Sequence, residues 1–472
     1  MKIRSLLLGS VAAAGLSTGA AYAADLGVLT SLDVCDNLGL SGLTISSDTN
    51  CLQITGEVKY KFSWGDYKTS GYEISHIHTP DDLTTFNNDN GGNDWESRFD
   101  AWIKFVATAS SDFGPAKAVI KLLEKDNSRV SGASYASGVS YTYITTTGLS
   151  GGTSGTVTYS TSSSSAAYAS GVSYATYSGS DTDGVVLDEA YVSIGDSTVI
   201  SAGKKGSIMN KGDDEPLNWL GLFNSENVDA GVGWTPDLIG DGGHVIQIET
   251  DLGNGLSAKA GLENLNGGAS DTTGTAVGVL AYSGDGLSAH ITVAANGVLA
   301  GEIQDWGVHA GFTGTFDNFK IVAAGAFDST DYWNVLASAS ATFDMFTIAA
   351  SVEAADGTSG GGDDYYGAGA SITAAVADGV TLNVGGRWAH DSWGDNSYEV
   401  AAAVAASVTE NLTLTGTVGY VNTNDETGSD LFYGSAKLAW APGGDAFTSS
   451  VKGTINSEGG YKIESEFKKT FQ

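Results

Sequence analysis

The segment LQITGEVKYKFSW, residues 52–64, alternates apolar and polar side chains with a period of two. The apolar set consists of Ile54, Val58, Tyr60, Phe62 and Trp64. The polar set consists of Gln53, Thr55, Glu57, Lys59, Lys61 and Ser63. Because successive side chains of a strand point to opposite faces, this segment predicts a β-strand with water on one side and an apolar medium on the other.

Twenty segments of the chain carry this alternation. They begin near residues 52, 95, 115, 185, 198, 244, 256, 276, 286, 303, 318, 333, 345, 365, 379, 397, 411, 431, 445 and 460. The composition agrees, because 65 Gly, five Pro and three Met among 472 residues favour short strands and tight turns over helices. The predicted fold class is therefore all-β.

The connections between these segments alternate between long and short. The long ones include 65–94, 125–184 and 205–243, and the short ones include 110–114, 196–197, 251–255, Gly284-Asp285 and Asp317-Asn318. Barrels that span a membrane have an even strand count, short turns at the periplasmic end and longer loops outside. Closure of the barrel leaves no unpaired backbone edge in hydrocarbon. We predict a closed antiparallel transmembrane β-barrel of about 20 strands, with 16 or 18 as alternatives.

The N-terminus has the pattern of a cleaved export signal. Lys2 and Arg4 precede the apolar run LLLGSVAAAGL, and Ala21-Tyr22-Ala23 supplies a cleavage site before the next residue. The run is too short for a transmembrane helix. Residues 1–23 are predicted to be a signal peptide, 24–51 a periplasmic segment and 52–472 the barrel.

The two cysteines, Cys35 and Cys51, both lie just inside the predicted mature N-terminus. An even pair in an exported chain predicts a disulfide. With the 15 residues between the two cysteines, loop-closure arguments give about 3 kcal/mol of stabilisation.

Several stretches resemble the porins of alphaproteobacterial outer membranes. They are DVCDNLG (33–39), TNCLQITGEVKY (49–60), WESRFDAWIKFVATASSDFG (95–114), LDEAYVSIGDSTVISAGKK (187–205) and FKKTF (467–471). The resemblance covers about the first 125 mature residues, the region 185–245 and the last strand. It implies a homotrimeric, non-enzymatic diffusion channel for small hydrophilic solutes in the outer membrane of a Gram-negative bacterium. It also implies that the long loop after strand 5 folds into the lumen.

The chain departs from that family in three respects. Porins of the family are usually taken as 16-stranded, and they tend to end on the Phe that the barrel-assembly machinery reads, whereas Gln472 follows Phe471 here. The third departure is the insertion at 125–184, where YASGVSY occurs at 135–141 and again at 168–174. Its Ser, Thr, Gly and Tyr residues predict either a flexible extracellular loop or an ordered hairpin above the membrane. Four interpretations of this insertion stay open: a cover over the channel mouth, a trimer latch, a surface contact, or duplicated low-complexity filler.

The predicted pore chemistry lies in two groups of charges. Closing the last strand against the first three gives a pore-lining basic wall of Lys59, Lys61, Arg98, Lys104, Lys117, Lys121, Lys462 and Lys468. The constriction loop at 205–243 carries the acids Asp213, Asp214, Glu215, Glu226 and Asp229. An acidic loop across from a basic wall would set a transverse field that favours polar solutes. The alternative is a cross-strand ladder that stabilises the wall without setting selectivity.

The charge balance limits the partners. With 22 Lys plus Arg against 55 Asp plus Glu, the net charge of −33 argues against nucleic acid. Asp-rich outer loops should concentrate cations at the mouth, so we predict a weak cation preference. The predicted surroundings are outer-membrane lipid and lipopolysaccharide.

The remaining patterns carry weak signals. No GxSxG, Walker or HExxH pattern occurs, so an enzyme is not predicted and no cofactor is required. The Asn, Asp and Gly clusters at 87–94 and 360–366 could offer oxygen ligands to Ca²⁺ at surface loops, although turn chemistry explains them more simply. Two alternatives to a general diffusion channel stay open, a surface adhesin with a plugged lumen and a sugar-specific channel.

Overall fold

A computed structural model describes residues 34–35, 38, 40–66, 94–144, 161–178, 184–209, 215–224, 232–233, 239–266, 274–356, 365–390, 396–423, 430–442, 446–457 and 459–471. Its strands are β1 Thr44–Ser46, β2 Asn50–Asp66, β3 Asp94–Ala109, β4 Ala116–Ile144, β5 Thr161–Ser178, β6 Val186–Gly195, β7 Thr198–Lys205, β8 Gly243–Gly253, β9 Leu256–Glu263, β10 Thr275–Gly284, β11 Leu287–Asn296, β12 Trp306–Phe316, β13 Phe319–Asp328, β14 Trp333–Phe343, β15 Phe346–Asp356, β16 Tyr365–Ala377, β17 Val380–His390, β18 Asn396–Thr409, β19 Leu412–Thr423, β20 Leu431–Trp440, β21 Phe447–Asn456 and β22 Tyr461–Phe471. A 3₁₀ turn spans Val298–Ala300.

Twenty of these strands form a closed antiparallel barrel. Each pairs with the next ring strand along the chain, and β22 pairs with β2 to complete the ring. Two strands lie outside the ring, because β1 pairs with β2 alone and β5 pairs with β4 alone. The prediction of about 20 strands is confirmed, and the alternatives of 16 and 18 are wrong. Among the residues given above, no helix is long and apolar enough to cross a membrane.

Short turns and long connections alternate as predicted. The short turns Asn254–Gly255 and Asp285–Gly286 have positive φ at both residues, with φ of 53° and 79° in the first and 51° and 77° in the second. These are the dihedrals of type I′ turns, whose twist matches that of the flanking strands. The prediction of a turn at Gly284-Asp285 is one residue early, because Gly284 still pairs with Leu287.

The two faces of the ring differ as the alternation requires. Large apolar side chains stand exposed on the outward face all round the barrel, for example Val58, Ile291, Val418 and Phe467 at 43%, 44%, 64% and 46% exposure. In water such a continuous apolar surface would be unfavourable, whereas contact with hydrocarbon costs nothing. The charged side chains of the ring lie mostly on the inward face.

The insertion contributes a two-stranded ribbon. β4 pairs with β6 only up to Leu123, and from Ser128 onward its neighbour on that side is β5. The two copies of YASGVSY lie against each other in this ribbon, with Tyr135 opposite Val172 and Ser137 opposite Ser170.

The N-terminal segment attaches where the ring closes. A disulfide joins Cys35 to Cys51 of β2, as the sequence predicts. Phe471 of β22 pairs with Gly56 of β2, and β1 takes over the same edge of β2 beyond that point, with Thr44 opposite Gln53. β1 therefore covers the part of β2 that extends past the end of β22.

The seam between β2 and β22 depends on a glycine. A Cβ at Gly56 would overlap Cζ of the Phe471 ring and lie 2.8 Å from the carbonyl oxygen of Trp102. A Gly56→Ala variant must therefore displace the Phe471 ring, at an expected cost of about 1–3 kcal/mol in unfolding free energy. The temperature at which the barrel loses the faster electrophoretic mobility of its folded form in detergent gels measures this cost.

Gly453 in β21 is the matched control, because a Cβ there meets nothing within 4 Å. A Gly453→Ala variant should unfold at the wild-type temperature. If the two alanine variants unfold together, the ring of Phe471 does not fix the seam.

Candidate functional site

The long connection after β7 enters the barrel with its described residues, 206–209, 215–224, 232–233 and 239–242. We call it the inward loop. Its backbone N–H groups donate to inward-facing side chains of four strands, over distances of 2.8 to 3.1 Å. The pairs are Ile208 to Glu263 at 2.9 Å, Leu217 to Ser338 at 2.8 Å, Trp219 to Ser371 at 2.8 Å and Asn224 to Glu353 at 3.1 Å. Because β7 is the fifth strand of the ring, the predicted folding of this loop into the lumen is confirmed.

Apolar packing supports these hydrogen bonds. Leu222 and Val232 of the inward loop are 0% and 1% exposed and pack against Val322, Ala324, Ala326 and Leu336 of the wall. Ile208 and Ile239 pack in the same way on Val277, Val279 and Ala294. The lumen face therefore carries apolar patches beside these polar side chains where the loop covers it, although alternation alone predicts only polar residues there. The apolar run WLGLF at 219–223, within an otherwise acidic stretch, was the signal for this contact.

A buried ionic network lies on the inner wall beside Phe223 of the inward loop. Arg387 of β17 donates from Nε to Glu399 of β18 at 2.7 Å, and both side chains have 0% exposure. The hydroxyl of Tyr433 donates to the other carboxylate oxygen at 2.6 Å. The Arg387 guanidinium lies 4.1 Å from the ring centroid of Phe223, a cation–π contact that ties the loop to this network. Arg387 lies on the inward face of β17 but is covered by the loop, so it is not exposed to the lumen.

The predicted basic wall lies on β22, β2, β3 and β4. All eight of its residues lie at inward-facing positions of these strands. The contacts given above for the inward loop are all with other strands. Bases face one another across neighbouring strands at three places, Lys59 with Lys468, Lys61 with Arg98, and Lys104 with Lys121. The pairing thus brings these residues together on one face, with Lys117 nearest the short turn after β3.

Carboxylates neutralise much of this wall. Lys104 pairs with Glu189 at 2.8 Å and Lys121 with Asp188 at 2.7 Å, while Arg98 pairs with Asp100 at 3.1 Å. Lys59 lies 3.7 Å from Glu466, and Lys462 lies 2.6 Å from Glu464. Lys462 is only 4% exposed, so it is packed into the wall and does not line open lumen. The acids on neighbouring strands, Asp188 and Glu189 of β6 above all, are partners that the sequence reading missed.

Of the five acids predicted in the constriction loop, one lies among the residues that the structure describes. Glu215 lies in the inward loop and is exposed. Asp213, Asp214, Glu226 and Asp229 lie outside the described residues, as do residues 1–23 and most of the clusters at 87–94 and 360–366. Within the described part of the chain, no group of three or more His, Cys, Asp or Glu side chains is arranged to hold a metal ion.

Among the described residues, the inward-facing aromatic side chains do not form a ladder along the lumen. Tyr365 donates to Glu353 at 3.0 Å and Tyr433 to Glu399, so both belong to the wall beneath the inward loop. Trp102 and Tyr191 lie on the opposite half, each with a lysine ammonium over its ring.

Comparison with known proteins finds likeness in fold only. No family model matches the chain, and no curated protein matches it. Among solved structures, Pseudomonas aeruginosa OccK7 (OpdD) shares 9% identity at a TM-score of 0.42, over 89% of this chain and 98% of that one. The anion-selective porin from Comamonas acidovorans shares 10% identity at 0.35, over 89% and 100%. A mutant of the Rh. blastica porin shares 9% identity at 0.35, over 89% and 100%.

Proposed function

We propose that this protein is an outer-membrane porin, a passive water-filled channel through which small hydrophilic solutes and ions diffuse. One observation carries the proposal. The inward loop is fixed against one half of the inner wall, while the other half keeps its charged residues on the inward face. A fixed loop that narrows a charged lumen selects solutes by size and field without a catalytic group.

The rest of the predicted description belongs to the same proposal. Export would follow cleavage of residues 1–23, and the apolar outward face would contact outer-membrane lipid and lipopolysaccharide. Assembly as a homotrimer rests on the resemblance of the sequence, and insertion would proceed through the barrel-assembly machinery, which reads the C-terminal strand. No enzymatic activity and no cofactor is proposed, and Ca²⁺ at surface loops remains a sequence prediction.

The charges on the inner wall would make polar solutes permeate faster than apolar ones. The lumen field would orient water and dipolar solutes, and an apolar solute would have to displace that ordered water without replacing its hydrogen bonds. Asp-rich outer connections would raise the cation concentration at the mouth, which supports the predicted weak cation preference.

Planar-bilayer recording tests the function directly. Stepwise ohmic openings in groups of three would support a trimeric porin. Silent membranes would instead favour an adhesin with a plugged lumen, and block by a single sugar would favour a specific channel.

Charge reversal tests whether the basic wall lines the constriction. Lys59→Glu, Lys61→Glu and Arg98→Glu should each raise the cation-to-anion permeability ratio by about fivefold, the factor that about 1 kcal/mol carries. The reversal potential in a KCl gradient measures the ratio. Lys469→Glu is the matched control, because Lys469 lies on the same strand as Lys468 but faces outward. Unchanged reversal potentials in all three variants would show that these residues do not line the constriction.

A further inference from the structure

The inner wall holds a surplus of positive charge on three adjacent strands. Lys437 of β20 lies directly opposite Lys452 of β21, and Lys452 lies directly opposite Glu464 of β22. All three residues have the inward parity. Like charges placed directly opposite each other destabilise a sheet unless a counter-charge offsets them. This arrangement therefore needs an explanation beyond the stability of the wall.

Glu464 is already shared by other bases. The ammonium of Lys462 lies 2.6 Å from its Oε1, and that of Lys61 lies 3.8 Å from the same oxygen. The side chains of Lys462, Glu464 and Lys61 are only 4%, 9% and 14% exposed. Three lysines, including Lys452, thus surround one carboxylate, and Lys437 stands next to them. We call Lys61, Lys437, Lys452 and Lys462 the lysine cluster.

The neighbouring acids do not neutralise the excess positive charge of the lysine cluster. Glu466 lies opposite Lys61 but also pairs with Lys59 at 3.7 Å, and Asp100 pairs with Arg98. Glu96 lies one strand further on, opposite Ser63. The inward positions of β20 and β21 carry no carboxylate within Leu431–Trp440 and Phe447–Asn456. Over the described residues, neither Lys437 nor Lys452 forms an ion pair within 4.0 Å.

Hydroxyl groups flank the same place. Ser435 and Thr454 lie opposite each other one inward position from the two lysines, and Ser450 lies one inward position on the other side. Ammonium groups together with hydroxyl donors suit an oxyanion, which accepts several hydrogen bonds at once. Because the cluster faces inward, its ligand would be a solute of the channel and not a lipid head group.

We propose that Lys437 and Lys452 of the lysine cluster form an anion subsite, which binds the phosphate or carboxylate group of a small solute between them. The inference rests on the proposed channel function. It adds a site inside the lumen that attracts anions, whereas the predicted cation preference concerns the charges at the mouth. A solute that carries an anionic group would then be retained at this wall longer than a neutral solute of the same size.

The test uses the full-length channel in planar bilayers, with inorganic phosphate as the probe. Phosphate added to a KCl solution should lower the chloride current in a saturable way. In a K437Q/K452Q variant, the half-inhibitory phosphate concentration should rise about tenfold, since two charge-assisted hydrogen-bond donors are lost. K320Q is the control, because Lys320 is an exposed inward lysine of β13 outside the cluster. It should match the wild type.

The outcomes separate the two proposals. Absence of any channel in the wild-type protein would reject the channel function itself. Ohmic channels without saturable phosphate inhibition, or inhibition that K437Q/K452Q and K320Q alter equally, would reject the subsite and leave the channel standing. Detergent-gel mobility before and after heating confirms that each variant forms the closed barrel.

Discussion

An Arg387→Met variant is expected to lose about 3–5 kcal/mol of unfolding free energy, because it leaves the Glu399 carboxylate buried without its cationic partner. Both side chains have 0% exposure, and the Nε to Oε2 distance is 2.7 Å. Tyr433 would remain the carboxylate's hydrogen-bond donor, and one neutral donor does not offset a buried charge. Unfolding in urea, followed by tryptophan fluorescence in detergent micelles, measures the loss.

The same variant should alter the channel. Phe223 would lose the guanidinium that lies 4.1 Å from its ring, so the inward loop would be held less firmly over β17. We expect more frequent current fluctuations in single-channel records. An Arg387→Met/Glu399→Gln double variant removes both charges and should recover most of the lost stability while the fluctuations persist. Wild-type stability in the single variant would contradict the buried pair as a clamp on the loop.

The ring could be predicted from sequence because its causes are local. Alternation places one face in hydrocarbon and the other in the lumen, and each strand shows this without reference to any other. The turns follow from local chemistry too, as at Asn254–Gly255, where both residues adopt positive φ. Strand starts near 198, 256, 333, 365 and 431 coincide with observed first residues for this reason.

The interior could not be predicted to the same depth. Parity places Arg387, Glu399 and Tyr433 on the inward face, but their meeting depends on which strands are neighbours and on the register between them. The covering of this network depends further on where the inward loop rests, which no alternation encodes. Parity also could not separate an exposed lysine from a packed one such as Lys462. The burial of an inward-facing side chain and the residues it contacts depend on the closed barrel and not on its strand alone.

A Cys35→Ser/Cys51→Ser variant is expected to release the N-terminal segment while the ring stays intact. Apart from the disulfide, β1 attaches the described part of this segment to β2 through three residue pairs. Two further hydrogen bonds of 2.9 Å assist, from Ile54 N to Leu43 O and from Gln53 Nε2 to Ser41 O. Loop closure contributes about 3 kcal/mol, so the detached population should rise about 150-fold.

Chymotrypsin measures this detachment, because Leu38 and Leu40 offer cleavage sites within the segment. Cleavage there should accelerate in the double variant and, equally, in wild-type protein treated with a reductant. The unfolding temperature of the barrel should change little, because β2 keeps β3 and β22 as its partners. If the barrel instead unfolds at a much lower temperature, the disulfide stabilises ring closure itself and β1 is part of the seam.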